Sequence, residues 1–114
     1  MKRMGAGLLT LACLALAGRA FGADEAAIQK GEKVFSYWCA TCHGPALPGT
    51  VALETKYKGS RPALLAERTD LLPAVTKTFV RKGVSVMPFF RKTEIGDADL
   101  DALAAYLARN NKPR

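Results

Sequence analysis

The sequence has few of the residues that usually form metal and redox sites. Its 114 residues include three Cys, three Met, one Trp and a single His. One His excludes a His-rich metal centre, and three Cys are too few for a dense disulfide framework. Ten Gly and six Pro are ordinary for a globular chain, which excludes collagen-like repeats. The length allows one domain, and no repeat or low-complexity segment suggests a second.

The amino-terminal residues have the pattern of a secretory signal peptide. A basic start at Lys2 and Arg3 precedes an apolar run over residues 8–17, and small residues follow that run. We expect cleavage between Gly22 and Ala23, and therefore a periplasmic protein. The run is shorter than the ~20 apolar residues that a membrane span needs, so we expect no span after cleavage.

Cleavage would change both the charge and the inventory of candidate ligands. Residues 1–22 hold three of the 17 basic residues and none of the ten acidic ones, so the predicted domain, residues 23–114, has a net charge of +4 instead of +7. This modest charge on an exported protein argues against nucleic-acid binding. Two Cys, one His and one Met remain in the domain.

The distribution of apolar residues predicts an all-α fold. Apolar spacing and boundary residues predict three helices, over residues 24–38, 73–82 and 97–110. A loop is predicted over residues 45–60, and a short helix over residues 62–68. Pro73 fits the first turn of its helix and Gly83 fits the position just past the end. Asp97 is the predicted cap of the last helix. The only strand-like stretch, residues 84–86, is too short to predict as a strand.

The motif Cys39-Ala40-Thr41-Cys42-His43 carries the clearest chemistry in the sequence. The pattern C-x-x-C-H is the attachment sequence of c-type haem. Two thiols about one helical turn apart can each form a thioether with one haem vinyl group. The His directly after them is then placed to ligate the iron.

Three other sites could use the same pair of cysteines. A thioredoxin-type redox pair would follow a strand within a sheet, whereas an amphipathic helix precedes Cys39. A zinc site needs about four ligands, and two Cys with an adjacent His suit one tetrahedral ion poorly. A simple disulfide between Cys39 and Cys42 is possible in an oxidising compartment, but it leaves His43 unexplained.

A second axial ligand to the iron must come from elsewhere in the chain. Low-spin electron-transfer haems take Met or His there, and Met raises the reduction potential. Met87 is the only Met left after signal cleavage, and it lies in a loop between Gly83 and Pro88. The alternative is that Met87 only fills the core. A sixth position left open would instead suit a gas sensor or a peroxidase.

The sequence resembles class I monohaem c-type cytochromes from about Ile28 to Leu107. The matching segments are GEKVFSYWCATCHG, RPALLAERTDLLPAVTKTFVRKGVSVMPFF and DADLDALAAYL. The resemblance implies a small fold of three to five helices around one covalently bound haem c. It implies the following roles: haem thioethers at Cys39 and Cys42, the proximal iron ligand at His43, and the distal ligand at Met87.

The resemblance also implies contacts that support the site. Pro62 is similar to the proline whose carbonyl accepts the ring N–H of the axial His. The sequence departs from the family in the long basic loop before Pro62, which leaves Pro48 as an alternative for that role. Gly31 and Phe35 are similar to first-helix residues that cross the last helix near Tyr106.

By this resemblance we expect a carrier of single electrons that catalyses no bond chemistry itself. The ending MPFFRKTEIGDADLDALAAYL is similar to the cytochrome subunits of flavocytochromes related to para-cresol methylhydroxylase. The alternative is therefore a tightly bound subunit of a flavoprotein dehydrogenase that oxidises para-alkylphenols.

Two further sets of residues predict the surroundings of the haem and the charge of its partners. Aromatic side chains are expected to form an apolar haem pocket, and they are Trp38, Tyr57, Phe79, Phe89 and Phe90. Basic residues flank Met87 in the sequence, and they are Lys77, Arg81, Lys82, Arg91 and Lys92. Such charge runs are usually solvated surface, but at an exposed haem edge they would favour acidic redox partners.

Overall fold

The computed structural model describes the backbone of residues 9–112 and the side chains of residues 24–112. This part of the chain is helical and has no β-strand, which confirms the predicted all-α class. Its α-helices are α1 Leu9–Trp38, α2 Ala40–His43, α3 Pro48–Tyr57, α4 Pro73–Lys82 and α5 Asp97–Ala108. A short 3-10 helix, Leu65–Glu67, lies between α3 and α4.

The start of α1 lies upstream of the predicted one. The helix begins at Leu9 instead of Asp24, because the intervening sequence is rich in Ala and contains no Pro to end a helix. The predicted signal peptide lies outside the residues whose side chains are described, and its cleavage before Ala23 stays a prediction. No helix among the described residues has the length and apolar character to cross a membrane.

Helices α1 and α5 cross at the predicted position. A Cβ on Gly31 would lie 2.6 Å from the carbonyl carbon of Ala102 and 2.7 Å from Cβ of Tyr106, so only Gly allows this approach. One turn later, the rings of Phe35 and Tyr106 pack with their centroids 5.6 Å apart. The expected crossing of the first and last helices is therefore confirmed.

The core lies between α1, α4 and α5. Its buried members are Phe35, Val80, Ile95, Leu100, Leu103, Tyr106 and Leu107. Most of them come from α5, whose predicted apolar face is buried as expected. Cys39 and Met87 are among the partly buried residues that pack against this cluster.

Helix α3 corrects the prediction that residues 45–60 form a loop. Pro48 lies in its first turn, where the missing N–H costs nothing, and Lys58 ends it with a left-handed φ of 47°. Thr50 is 1% exposed, and its hydroxyl donates to the carbonyl of Gly44 at 2.8 Å. The helix has no apolar stripe that the sequence pattern could reveal.

Other boundaries differ from the predicted ones by small amounts. Helix α4 ends as predicted, because Gly83 takes a φ of 69° just past its last residue. Helix α5 ends at Ala108, two residues earlier than predicted, and its cap is Gly96 rather than Asp97. The predicted helix over residues 62–68 is reduced to the 3-10 turn, because the backbone is extended at both Leu64 and Arg68.

Candidate functional site

The C-x-x-C-H motif folds as one helical turn directly after α1. The backbone N–H of His43 donates to the carbonyl of Cys39 at 2.9 Å, and that of Cys42 donates to the same oxygen at 3.1 Å. Cys39 is half-buried, Cys42 is exposed, and both thiols are free. The two cysteines are therefore about one helical turn apart, which is the arrangement that the motif predicts.

Burial sets the protonation of the motif's polar groups. It raises the pKa of the Cys39 thiol to about 11, and the neighbouring Cys42 adds to this shift. Burial also lowers the pKa of His43 from its ordinary value. Cys39 is therefore a thiol at neutral pH and His43 is a neutral imidazole, the form that ligates metals.

Helix α3 covers one nitrogen of the His43 ring. Its Nδ1 is buried and has no hydrogen-bond partner among the described residues. A Cβ on Gly49 would lie 3.1 Å from both Nδ1 and Cε1 of this ring, and 2.7 Å from the carbonyl of Cys42. Gly49 is thus required for the close packing of α3 on His43. This role was not predicted from the sequence, because a Pro-Gly pair is typical of a turn.

The proline that supports His43 stays a prediction. Pro62 lies in an exposed loop, and no hydrogen bond joins its carbonyl to His43 within the described part of the chain. Pro48 starts the helix whose next residue, Gly49, packs on the ring. The structure therefore brings the Pro48 segment against His43, and the role of Pro62 stays a prediction.

Met87 is held by a tight turn. The N–H and carbonyl of Val84 bond to the carbonyl and N–H of Met87 at 3.1 and 2.9 Å. Gly83 and Ser85 take positive φ values of 69° and 54°, which makes the reversal possible. This single bridge is all that the strand-like stretch 84–86 forms.

Hydrogen bonds join the segment that follows Met87 to α4. The N–H of Phe90 donates to the carbonyl of Val80 at 2.8 Å, and Arg81 Nη1 donates to the carbonyl of Phe90 at 3.1 Å. Met87 is half-buried and packs against the core cluster, as Cys39 does. Residues far apart in the sequence therefore pack against the same core cluster.

The aromatic residues of the predicted pocket differ in burial. Trp38 is half-buried and packs edge-to-face on Phe90, with ring centroids 5.8 Å apart. Phe79 and Phe89 are exposed, and Tyr57 packs against two arginines.

Large apolar side chains are exposed on three segments of the chain. They are Leu47 and Val51 at the start of α3, Leu72, Val75 and Phe79 at or on α4, and Val84, Val86 and Phe89 in and beside the Met87 turn. The exposed face of α4 has a shallow surface hollow lined by Ala74, Val75, Thr78 and Phe79. Such apolar surface suits contact with a large apolar ring.

Most of the basic residues around Met87 form ion pairs. The pairs are Lys77–Asp101 at 2.5 Å, Arg81–Asp97 at 2.9 Å, Lys92–Asp97 at 2.8 Å and Arg91–Glu94 at 3.6 Å. Among the described residues, Lys82 is the one member of the predicted basic set without such a pair. The positive charge near Met87 is therefore smaller than the sequence alone implies.

The donor set fits a c-type haem. Two thiols on one turn, a neutral imidazole and a thioether packed on the same core are the groups that such a haem takes. The described residues contain no group of three or more His, Cys, Asp or Glu that could hold a metal ion by itself. The helical fold and the motif after its first helix define a small cytochrome c domain.

Comparison with known proteins gives the family. Residues 26–107 match the family described as cytochrome C oxidase, cbb3-type, subunit III, and the chain belongs to this family. The match supports a class I c-type cytochrome that transfers electrons through haem. No curated protein and no solved structure matches the chain.

Proposed function

We propose that the chain is an exported, periplasmic carrier of single electrons with one covalent haem c. Cys39 and Cys42 hold the haem by thioethers, and His43 and Met87 are the axial ligands of its iron. The observation that carries this proposal is the packing of Cys39 and Met87 against one core cluster. The neutral state of His43 and the exposed apolar residues on α3, on α4 and in the Met87 turn support it.

The haem supplies an iron that changes its charge by one electron. The chain's residues control what reaches that iron. With haem bound, His43 and Met87 would both ligate the iron and leave no position open to a small substrate, and the thioether of Met87 would raise the reduction potential. The apolar side chains on α4 and the Met87 turn exclude water, which also favours the less charged reduced state. No residue is required as a general acid or base.

Covalent attachment is tested by a pyridine haemochrome assay. The chain is produced in a host that supplies a cytochrome c maturation system, and we expect one haem per chain. The double variant Cys39→Ala/Cys42→Ala keeps the axial residues and should contain no covalent haem. If the unchanged chain carries no covalent haem under these conditions, the proposed function is wrong.

A second candidate is a fixed subunit of a flavoprotein dehydrogenase that oxidises para-alkylphenols. The exposed turn beside Met87 favours it, because Val86 is 93% exposed and Phe89 is 60% exposed. Large apolar side chains at such exposure suit a permanent interface. The family is itself named for a subunit of an oxidase, which supports work within a larger complex.

A pull-down from the native periplasm separates the two candidates. Tagged protein is recovered and its partners are assayed for flavin and haem. Copurification of a larger flavoprotein favours the fixed subunit, whereas a haem protein recovered alone, or with a partner that lacks flavin, contradicts it. The variant Phe89→Ser tests the surface, because it should release a partner that docks on the Met87 turn.

A further inference from the structure

The side chain of Arg81, in the last turn of α4, binds two other parts of the chain at once. Its Nη1 donates to the carbonyl of Phe90 at 3.1 Å, and its Nη2 donates to Asp97 Oδ1 at 2.9 Å. Only 23% of this side chain is exposed, compared with 73% for Lys92, which pairs with the same carboxylate. One guanidinium group therefore connects α4, the segment after Met87 and the start of α5.

Phe90 is the residue through which the segment after Met87 is bound to α4. Its N–H donates to the carbonyl of Val80 at 2.8 Å, and its carbonyl accepts from Arg81, the next residue of α4. The bond from Arg81 is the only side-chain hydrogen bond to residues 83–90 within the described part of the chain. A single side chain thus completes the attachment of this segment.

The connection between Met87 and Phe90 is short and restricted. Two residues separate them, and one of these, Pro88, fixes its own φ and limits the backbone of Met87. The ring of Phe90 also packs edge-to-face on Trp38, which directly precedes the C-x-x-C-H motif, with the ring centroids 5.8 Å apart. The position of Phe90 therefore constrains where Met87 lies relative to the motif.

We propose that Arg81 is a positioning residue for the distal iron ligand, because its bond to the Phe90 carbonyl holds Met87 in place. This inference rests on the proposed function, since it needs Met87 to ligate a haem iron. The ion pair with Asp97 orients the guanidinium. Because the Asp97 side chain is 63% exposed, that pair contributes little, and the bond to Phe90 carries the effect.

The affinity of the ferric protein for added imidazole measures how firmly the turn holds Met87. Imidazole reaches the sixth position only when Met87 has left it, so its apparent affinity rises with the fraction of protein in which the turn is open. A substitution that only destabilised the fold as a whole would not change this fraction. The measurement therefore separates a positioning role from a general structural one.

Arg81→Leu in the haem-loaded protein is the test. Leu has no donor for Phe90, and its helix propensity is close to that of Arg, so α4 is retained. Loss of a hydrogen bond from a charged group should raise the affinity for imidazole about ten- to a hundredfold. Titration of the ferric absorption spectrum with imidazole measures this change.

Asp97→Asn is the matched control. It removes the charge that pairs with Arg81 but leaves the bond from Nη1 to Phe90, so it should leave the affinity for imidazole unchanged. An unchanged affinity in Arg81→Leu overturns the proposal, and so does an equal increase in both variants.

A second measurement needs no variant of Arg81. Saturating imidazole should make the N–H of Phe90 in the unchanged protein exchange faster with solvent deuterium, because displacement of Met87 frees the turn. Equal protection of this N–H with and without imidazole also overturns the proposal. If Met87→Ala leaves the affinity for imidazole unchanged, Met87 is not the ligand and the proposed function itself fails, so the two failures are distinguishable.

Discussion

Burial sets the protonation states of His43 and Cys39, two residues of the candidate site. Partial burial lowers the pKa of the imidazole and raises the pKa of the thiol, so both groups are uncharged at neutral pH. A neutral imidazole binds iron without first losing a proton. The buried Nδ1 also limits the ring to one free nitrogen for ligation.

Met87→Ala tests the distal ligand. Loss of the thioether should change the ferric absorption spectrum and lower the reduction potential, because Met ligation raises it. Val86→Ala is the control, since Val86 lies next to Met87 in the same turn but is 93% exposed. Spectroscopy and potentiometry on the haem-loaded variants measure both effects. An unchanged ferric spectrum in Met87→Ala would contradict the assignment and favour an open sixth site.

Asp70→Asn tests the stability that the buried Arg68 requires. The hydrogen bond from Arg68 lowers the pKa of Asp70, so this contribution is present above about pH 4 and is lost as the pH falls through the lowered pKa. We expect the variant to lose about 1–3 kcal/mol at neutral pH. Its stability should also vary less with pH than that of the unchanged protein below about pH 4.

Urea unfolding at a series of pH values measures this difference. Asp101→Asn is the comparison, because its ion pair with Lys77 is exposed and should contribute no more than about 1 kcal/mol. The same acid dependence in the unchanged protein and in Asp70→Asn would show that Asp70 has no such role.

At the scale of elements, the sequence predicted the helices that have an apolar face and marked ends. Pro73 and Gly83 identify both ends of α4, and the apolar spacing of α5 identifies its buried side. Helix α3 was missed because it has no apolar stripe, and its contacts are local: a buried Thr50 hydroxyl and the packing of Gly49 on His43. The periodicity of apolar residues in a sequence indicates which face of a helix is buried, but it does not indicate such local contacts.

The candidate site was also predicted only in part from the sequence. Cys39, Cys42 and His43 were predicted because their spacing in the chain is itself the motif. The Arg68–Asp70 pair was not predicted, since its significance depends on burial and on the ring of Tyr57, which a sequence does not display. The pairing of the basic residues with acids on α5 was missed for the same reason.

Gly83→Ala tests the turn that carries Met87. A Cβ there would lie 2.7 Å from the carbonyl of Met87, and the φ of 69° with ψ of 173° is a conformation almost confined to Gly. Gly59→Ala is the control, because Gly59 has a φ of 78° but open space around its missing Cβ. Both variants place a Cβ on a backbone with positive φ, which costs about 1–3 kcal/mol.

Only Gly83→Ala should also weaken Met87 ligation. Thermal unfolding combined with the ferric spectrum separates the two effects, because the control should lower the unfolding temperature and leave the spectrum unchanged. Equal behaviour of the two variants would mean that the contact between Gly83 and Met87 has no role in ligation.

At the scale of the whole molecule, net charge is a poor guide to the surface near Met87. The basic residues there are paired with acids from α5 or from the preceding loop, and Asp97 forms an ion pair with each of Arg81 and Lys92. Attraction of acidic partners is therefore weaker than the sequence implies. Asp97→Asn should release this charge and raise the rate of electron transfer to an acidic carrier such as a flavodoxin at low ionic strength.

Asp24→Asn is the matched control, because it adds the same unit of charge on α1, at a residue that is not part of the Asp97 ion pairs. Stopped-flow measurements over a range of salt concentrations should show a larger rate and a steeper salt dependence for Asp97→Asn only. If the two variants respond alike, overall charge and not the local pairing controls the encounter.

The crossing of α1 and α5 has a consequence for the order of events during synthesis. Most of the core belongs to the last helix, so a growing chain has the C-x-x-C-H motif long before it has a core to bury it in. Contacts between distant segments form late and slowly. Under the proposed function, the thiol of Cys39 is therefore most accessible for haem attachment before α5 packs on Gly31, whereas Cys42 is exposed in the folded domain as well.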